Sequence, residues 1–320
     1  MGDLLKLVDL KTYYPIKKGL LFKIVGHVHA VDGVSFSLAE GRSIGLVGES
    51  GCGKTTLGLS ILQLVEISAG AIYFDGEDIT KADNRKMKAI RGKMQMIFQD
   101  PYSSLNPRQM VKDIIAEPLT VYSLYKKRER EDRVNDLLDK VGLGVQYAQR
   151  YPRELSGGQR QRVGIARALS LSPKLIVSDE PVSALDVSIQ AQIINLLDDL
   201  QAEFNLSYVF ISHDLSVVEH VCDIVAVMYL GRIVEISPFQ DLFSSPQHPY
   251  TQALLSAIPV ANPHVKKEKI ILSGQVPSPI DPPSGCRFHP RCSRIADGCD
   301  RQIPELRRVG ENHYAACHLL

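Results

Sequence analysis

Hydrophobic and polar positions follow two different periods along the chain, and together these periods predict a mixture of strands and helices. Residues 28–38 alternate apolar and polar side chains, as a half-buried antiparallel strand does. Short apolar runs predict further strands over 4–12, 42–47, 71–76, 93–98, 174–180 and 207–212. Apolar residues at helical spacing predict helices over 56–62, 81–91, 111–148, 155–171 and 187–201. The alternation of the two element types predicts an α/β fold.

A glycine-rich segment lies between the strand at 42–47 and the helix at 56–62. It fits the phosphate-loop pattern G-x-x-x-x-G-K-[ST], whose glycines let backbone N–H groups turn inward toward phosphate oxygens. Lys54 would reach the terminal phosphates, and the Thr55 hydroxyl would bind Mg²⁺. The alternative is a glycine-rich turn, which the flanking strand and helix disfavour. The predicted nucleotide-binding residues are Gly48, Glu49, Ser50, Gly51, Cys52, Gly53, Lys54, Thr55 and Thr56.

The segment Leu155-Ser156-Gly157-Gly158-Gln159 opens a predicted helix. Ser156 has the chemistry of an N-cap, and the glycines leave backbone N–H groups accessible to a ligand. Taken alone, this segment is a helix cap. The order of five specific residues makes Ser156, Gly157, Gly158 and Gln159 more than a helix cap and candidates for contact with a ligand.

Polar side chains follow three of the predicted strands. Asp179 and Glu180 end the apolar strand at 174–180, where Asp179 is placed to hold Mg²⁺ and Glu180 to polarise a water that attacks the γ-phosphate. Gln99 follows the strand at 93–98, and His213 follows that at 207–212. Acids after a strand can also simply begin a loop, and a lone histidine is commonly a surface residue. A nearby phosphate loop favours the functional interpretation.

Composition narrows the class of protein. The chain has 320 residues, 44% of them hydrophobic, and a formal net charge of +1, so no overall field favours nucleic acid. No apolar run approaches the roughly 20 residues that span a bilayer, and the N-terminus lacks a signal-peptide core. We therefore expect a cytoplasmic chain whose membrane role, if any, comes through a partner.

The composition changes after Ser237, beyond which lie eleven of the 18 prolines. We expect a proline-rich linker over 241–285 and a separately folded tail over 286–320. Cys286, Cys292, Cys299 and Cys317 cluster in this tail, with five, six and seventeen residues between them. In a cytoplasmic protein such clustering favours a metal over disulfides, and the spacing leaves zinc and an iron–sulfur cluster both open. The weaker candidate ligands are His289, His313 and His318.

The order GESGCGKT, Gln99, LSGGQ, LIVSDE, SALD, His213 resembles the nucleotide-binding subunits of ABC transporters over residues 4–240. The resemblance implies a phosphate-loop cassette over 1–240, with a RecA-like core, an antiparallel β subdomain and a helical subdomain around 100–170. It implies ATP with Mg²⁺ as ligands, the Mg²⁺ being held by Thr55, Asp179 and Gln99. Glu180 would be the catalytic base, Gln99 would sense the metal and the attacking water, and His213 would contact the γ-phosphate. Tyr14, or its neighbour Tyr13, would stack on adenine.

The same resemblance implies a dimer, because in these subunits the LSGGQ segment faces the nucleotide bound to the opposite subunit. Two composite sites would then form only when two cassettes close on each other.

Residues 98–108, FQDPYSSLNPR, and 246–251, PQHPYT, resemble the ATPases of oligopeptide and dipeptide importers. This implies MgATP hydrolysis that drives peptide import from the cytoplasmic face of the membrane. It implies as partners a paralogous ATPase (or a second copy), two permease subunits and an extracytoplasmic peptide-binding protein, with no nucleic acid. It also implies a four-iron, four-sulfur cluster on the four tail cysteines, with Zn²⁺ as the alternative.

Other functions remain as rivals. A GTPase is disfavoured by LSGGQ and by the lack of an N-K-x-D guanine motif. An ABC ATPase outside transport usually has paired cassettes or long coiled-coil inserts, which this sequence lacks. An importer of another small solute, such as a metal chelate, is a further alternative. An iron–sulfur sensor that uses ATP only as a switch is disfavoured by the intact Glu180 and His213.

Overall fold

The computed structural model describes residues 2–19, 22–258 and 269–320. These residues form two compact units, the first containing 39–42 and 82–210, and the second containing 2–38, 43–81 and 211–320. None of the helices found in the three described ranges has the length and apolar character needed to cross a membrane.

The elements confirm an α/β fold. Up to residue 140 they are β1 (Asp3–Lys18), β2 (Lys23–Ala39), β3 (Ser43–Val47), α1 (Lys54–Ile61), β4 (Ala69–Phe74), β5 (Glu77–Asp78), α2 (Asn84–Lys93), β6 (Met94–Ile97), α3 (Val111–Val121) and α4 (Lys127–Lys140). They continue with α5 (Gly157–Leu169), β7 (Leu175–Asp179), α6 (Val187–Phe204), β8 (Ser207–Ile211), α7 (Leu215–Val221), β9 (Ile224–Tyr229), β10 (Arg232–Pro238), α8 (Phe239–Ser244), α9 (Pro249–Ser256), β11 (Arg307–Gly310) and β12 (His313–Ala315). Short 3₁₀ turns lie at Val145–Tyr147, Pro152–Glu154 and His289–Arg291.

The first unit pairs β6 with β7 in parallel, with Met94 opposite Leu175 and Ile97 opposite Ser178. All five residues of β7 are buried, as expected for a strand covered on both faces. Helices α3, α4 and α5 pack on one another through buried aliphatic residues such as Ile115, Leu137 and Val163. Gln99, the strand-end acids and the LSGGQ segment all belong to this unit.

The second unit contains an antiparallel sheet in the order β2-β1-β4-β5, with Leu5 opposite Phe74. It also contains a parallel pair of β3 and β9, with Leu46 opposite Ala226. The phosphate loop leaves β3 and enters α1, which is the strand, loop and helix order expected from the sequence. The phosphate loop and His213 belong to this unit.

The cysteine-containing tail is not the separate folding unit that the proline content predicts. Strand β12 pairs antiparallel with β10, and Ala316 N donates to Val234 O at 2.8 Å, so the tail continues the β9-β10 sheet. The fully buried Glu235 carboxylate of β10 accepts a 2.7 Å hydrogen bond from His313 Nε2 on β12. The tail pairs with the edge of the sheet at β10 and supplies a hydrogen-bond donor to a buried carboxylate, and both contacts favour its docking on the sheet. The boundaries at about 240 and 285 stay predictions.

Candidate functional site

Two of the three glycines of the phosphate loop, Gly48 and Gly53, lie where no side chain fits. Gly53 is the N-cap of α1 with φ of 105°, and a Cβ there would collide with the carbonyl oxygen of Ala30. A Cβ on Gly48 would collide with the carbonyl oxygen of Met228. The close backbone approach therefore requires glycine at both positions and keeps the loop turned tightly into the helix.

Lys54 lies inside the loop that precedes it. Its side chain is buried, and Nζ donates to Gly48 O at 2.7 Å and to Glu49 O at 3.1 Å. Burial raises the pKa of the neighbouring Cys52 thiol, so that group stays neutral beside the ammonium. Thr55 is exposed at the first turn of α1. The loop thus presents a fixed ammonium, a hydroxyl and a helix N-terminus in one place.

Glu49 of the phosphate loop is held by residues more than 200 positions further along the chain. Its backbone N–H donates to Tyr250 Oη at 2.9 Å. Its carboxylate accepts a hydrogen bond from each terminal guanidinium nitrogen of Arg291. Nη1 donates to Oε2 at 2.7 Å, and Nη2 donates to Oε1 at 3.1 Å. The hydrogen bond to Glu49 raises the pKa of Arg291, which therefore stays charged. Sequence reasoning missed both partners, although Tyr250 lies in the PQHPYT segment that marks the importer resemblance.

The two tyrosines proposed for adenine stacking differ in their surroundings. The Tyr13 hydroxyl donates to Asp32, and its ring lies 4.3 Å from that of His29. Burial and this bond to Asp32 raise the pKa of Tyr13 to about 12. Tyr14 is 38% exposed and is therefore the more accessible of the two rings.

Asp32 connects β2 to the tail. Its carboxylate accepts hydrogen bonds from Arg232 at 3.1 Å (Nε) and 2.7 Å (Nη2), and from Nη2 of Arg287. Burial acts to raise the pKa of Asp32, but the hydrogen bonds from Tyr13 and Arg232 and the charges of Arg232 and Arg287 hold it below its usual value. Arg287 also donates to the carbonyl oxygen of Leu230.

In the first unit, the structure places Gln99 and Glu180 in direct contact, with Gln99 Nε2 donating to Glu180 Oε2 at 3.0 Å. Asp179 is 5% exposed at the end of β7. Glu180 has φ of 44°, a left-handed conformation that is unusual for a residue with a side chain. The sharp turn after β7 thus directs the two consecutive acids differently, one buried and one facing Gln99.

The LSGGQ segment forms a reciprocal cap on α5. Ser156 Oγ accepts from Gln159 N at 3.3 Å, while Gln159 Oε1 accepts from Ser156 N at 2.9 Å. Gln159 Nε2 also donates to Tyr147 Oη at 3.1 Å. Ser156 is exposed, whereas Gly157 and Gly158 are half-buried, with Leu185 and Ile189 close to the positions that a Cβ would occupy.

His213 follows β8 in the second unit and is exposed. The Ser212 N–H donates to Leu46 O at 3.1 Å, which places the segment carrying His213 beside the end of β3, where the phosphate loop begins.

The four tail cysteines gather in one region, and all are free thiols. Burial raises the pKa of Cys286 to about 11, and the charges of Cys299, Cys317 and Cys292 add to this effect. Within the described ranges, no group of three or more candidate side chains stands in a metal-binding arrangement. The three candidate histidines bond elsewhere: His289 to Cys286 O, His313 to Glu235 and His318 to Gln302 O.

The chain resembles known proteins over its full length. Residues 31–183 match the family described as ABC transporter, and residues 234–299 match that described as oligopeptide/dipeptide transporter, C-terminal region. The oligopeptide transport ATP-binding protein AppF of Bacillus subtilis is 54% identical over 99% of this chain and 97% of its own. The dipeptide transport ATP-binding protein DppF of Escherichia coli is 50% identical over 96% and 92%.

Solved structures give the same result for the fold. The ATP-binding cassette MJ0796, in a dimeric post-hydrolysis state bound to ADP and Pi, superposes with a TM-score of 0.65 and 28% identity. The superposition covers 73% of this chain and 98% of that cassette. CbiO1 from Clostridium perfringens, part of the ABC transporter complex cbiONQ, has a TM-score of 0.65 and 26% identity over 77% of this chain and 92% of its own. These likenesses confirm the cassette fold expected from the motifs.

Proposed function

This chain belongs to the ABC transporter ATP-binding proteins that carry the oligopeptide/dipeptide C-terminal region, and we propose that it hydrolyses MgATP to power import of di- or oligopeptides. The observation that carries the proposal is the contact of Gln99 with Glu180 directly after the buried Asp179. A carboxylate beside an amide and a buried acid suits the activation of a water for hydrolysis of a bound nucleotide. The peptide cargo follows from the named relatives and from the tail they share with this chain.

The proposed roles follow from the chemistry of each group. The loop N–H groups and Lys54 bind the phosphates, while Tyr14 packs on the adenine ring. Thr55 and Asp179 hold Mg²⁺ with Gln99, and the metal, when bound, neutralises charge on the β- and γ-phosphates. The Glu180 carboxylate accepts the proton of the attacking water, and Gln99 orients that carboxylate. The remaining role, contact with the γ-phosphate, is that of His213.

The exposed turn at Ser156 supports a second proposal, that this segment completes the nucleotide site of a partner cassette. A helix start with an exposed serine at its cap is suited to bind an anion. We propose a paralogous ATPase as the partner, with a second copy of this chain as the alternative.

We further propose that the dimer docks from the cytoplasmic side on two permease subunits and works with an extracytoplasmic peptide-binding protein. The named relatives are transport ATP-binding proteins, which supports an attachment to membrane partners. The exposed Gln99 lies in the FQDPYSSLNPR segment, which is accessible for such a contact.

The tail thiols support a proposed metal centre. Cys286, Cys292, Cys299 and Cys317 lie close enough to influence one another electrostatically, and the nearby histidines are bonded elsewhere. A set of four thiols with no competing ligand suits a four-iron, four-sulfur cluster, and Zn²⁺ is the alternative because both metals accept four thiolates. The four cysteine side chains would have to move together to bind the cluster or Zn²⁺, because they are not in a metal-binding arrangement here.

The test of the hydrolytic proposal is Glu180→Gln, which keeps the shape of the site and removes the proton acceptor. We expect MgATP binding to persist while turnover falls by roughly 10²-fold or more, as for loss of a general base. Glu219→Gln, the same change on the exposed face of α7, is the matched control and should keep wild-type turnover. Near-normal hydrolysis by the Glu180 variant would contradict its assignment as the base.

The cargo is tested by reconstituting the subunit with its permeases and binding protein in vesicles that contain ATP. We expect ATP-dependent uptake of labelled di- or oligopeptides and its loss with Glu180→Gln. Uptake of a metal chelate in place of peptide, at equal ATPase activity, would overturn the peptide assignment while leaving the hydrolytic site intact.

A further inference from the structure

The tail contributes two arginines to the surroundings of the nucleotide site. Arg287 binds Asp32, which in turn holds the Tyr13 hydroxyl next to Tyr14, and Arg291 binds Glu49 in the phosphate loop. Arg291 is the last residue of the short 3₁₀ turn His289–Arg291, and Arg287 lies two residues before that turn begins. Their partners precede them by 255 and 242 residues.

The ion pair of Arg291 with Glu49 is largely buried and bidentate, unlike an ordinary surface ion pair. The side chain of Arg291 is 7% exposed, that of Glu49 is 28% exposed, and the two groups share two parallel hydrogen bonds. Phe288, at the start of the same turn, packs its ring 5.3 Å from the rings of both Tyr229 and Tyr250. Tyr250 is the residue whose hydroxyl accepts the Glu49 N–H, so one packed cluster holds both the backbone and the side chain of Glu49.

The backbone of Glu49 also helps to position Lys54 of the phosphate loop. The Glu49 carbonyl oxygen accepts from Lys54 Nζ at 3.1 Å and from Cys52 N at 3.2 Å. The same residue places a carboxylate in a loop whose task is to bind a polyanion. An unpaired carboxylate at this position would repel the phosphates, whereas a carboxylate paired with a guanidinium presents almost no net charge.

We propose that Arg291 is a positioning residue for ATP: by neutralising Glu49 and fixing its orientation, the tail sets the affinity of the phosphate loop for MgATP. The inference rests on the proposed ATP site. Arg291 lies outside the ABC transporter match at 31–183 and inside the C-terminal match at 234–299. A region named for oligopeptide transporters thereby completes the nucleotide site of its own chain.

The test is MgATP binding by full-length Arg291→Gln, Glu49→Gln and the double variant, each compared with wild type. Arg291→Gln leaves the loop with an unpaired anion, so we expect roughly threefold to tenfold weaker binding and a raised KM with kcat little changed. Glu49→Gln leaves a cation instead, so binding should be at least as tight as in wild type. The double variant should return to within about twofold of wild type, because neither charge remains.

This asymmetry separates charge neutralisation from simple packing. A purely structural contact would make both single variants bind weakly and would give no recovery in the double variant, which would overturn the proposal. Arg301→Gln is the matched control, since Arg301 is a 77% exposed tail arginine that faces Asp300. If wild type binds MgATP and Arg291→Gln binds it with the same affinity, only this inference is refuted. If wild type does not bind MgATP, the proposed function is refuted.

If Arg291→Gln does not fold, Arg291→Lys serves in its place. The lysine keeps the neutralising charge and loses the second hydrogen bond, so we expect MgATP affinity within about threefold of wild type. A tenfold or greater loss with Arg291→Lys would show that charge is not the operative property and would overturn the proposal.

Discussion

Replacing Asp32 by Asn tests how firmly the tail is joined to the rest of the second unit. The carboxylate accepts hydrogen bonds from Tyr13, Arg232 and Arg287. Asn has nearly the same shape, so the change removes the negative charge and leaves the packing intact. The positive charges of Arg232 and Arg287 are then no longer neutralised by a carboxylate between them.

The structure sets the expected magnitude. The side chains of Asp32 and Arg287 are each 7% exposed, whereas that of Arg232 is 28% exposed. Removing one partner of a buried ion pair costs about 3–5 kcal/mol, and the partial hydration of Arg232 places this case at the lower end. We expect a loss of about 3 kcal/mol, which corresponds to a decrease in Tm of roughly 4–5 °C for a chain of 320 residues.

The assay is thermal unfolding of the full chain followed by circular dichroism, with Asp300→Asn as the matched control. Asp300 pairs with Arg301 in solvent, the two side chains being 55% and 77% exposed, so its loss should cost under about 0.5 kcal/mol. A decrease in Tm for Asp32→Asn no larger than that of the control would refute the conclusion that this cluster anchors the tail.

The pH dependence gives an independent check. The pKa of Asp32 lies below its ordinary value of 3.8, so its stabilising contribution is complete above that pH and disappears as the pH falls further. The difference in stability between wild type and Asp32→Asn should therefore be constant near neutrality and shrink in acid. A difference that grows as the pH falls would contradict the assigned direction of the shift.

Two further predictions concern the partner cassette and the tail. Mixing a Lys54→Ala subunit with a Ser156→Arg subunit should place both substitutions in one composite site and leave the other site intact, so ATPase activity should exceed that of either parent. If a paralogue is required, the test is made in the heterodimer. Activity no higher than that of the parents would contradict the trans arrangement. Anaerobically purified protein should contain about four irons and four acid-labile sulfides per chain. Any of Cys286→Ser, Cys292→Ser, Cys299→Ser or Cys317→Ser should lower that iron content and also weaken MgATP binding, because Arg287 and Arg291 lie in the same segment. Stoichiometric zinc without sulfide would establish zinc as the native metal.

The parts of the site that the sequence predicts are those built from neighbours in the chain. The glycine loop at 48–53 and the cap at Ser156 each depend on backbone geometry within a few residues, so their residue types reveal them. The direct contact of Gln99 with Glu180 was not predicted, because the two residues are 81 positions apart in the chain.

The contacts that sequence reasoning missed connect distant segments. An arginine beside a cysteine is an ordinary surface residue by its type, and nothing near Arg291 indicates that Glu49 is its partner. The proline content after Ser237 also suggested a detached tail, since local composition reports the stiffness of a linker and carries no information on the sheet edge that β12 covers. Ion pairs between distant residues, and the pairing of a strand with the edge of a sheet, depend on how the folded backbone brings those segments together.

The position of Arg291 near the end of the chain has a consequence for biosynthesis. Translation proceeds from the N-terminus, so Glu49 of the phosphate loop is synthesised 242 residues before the arginine that neutralises it. During that interval the nascent cassette holds every residue of its glycine loop together with an unpaired Glu49. A chain that stops short of the tail remains in this state. Tight nucleotide binding would thus distinguish chains that contain Arg291 from chains that lack it.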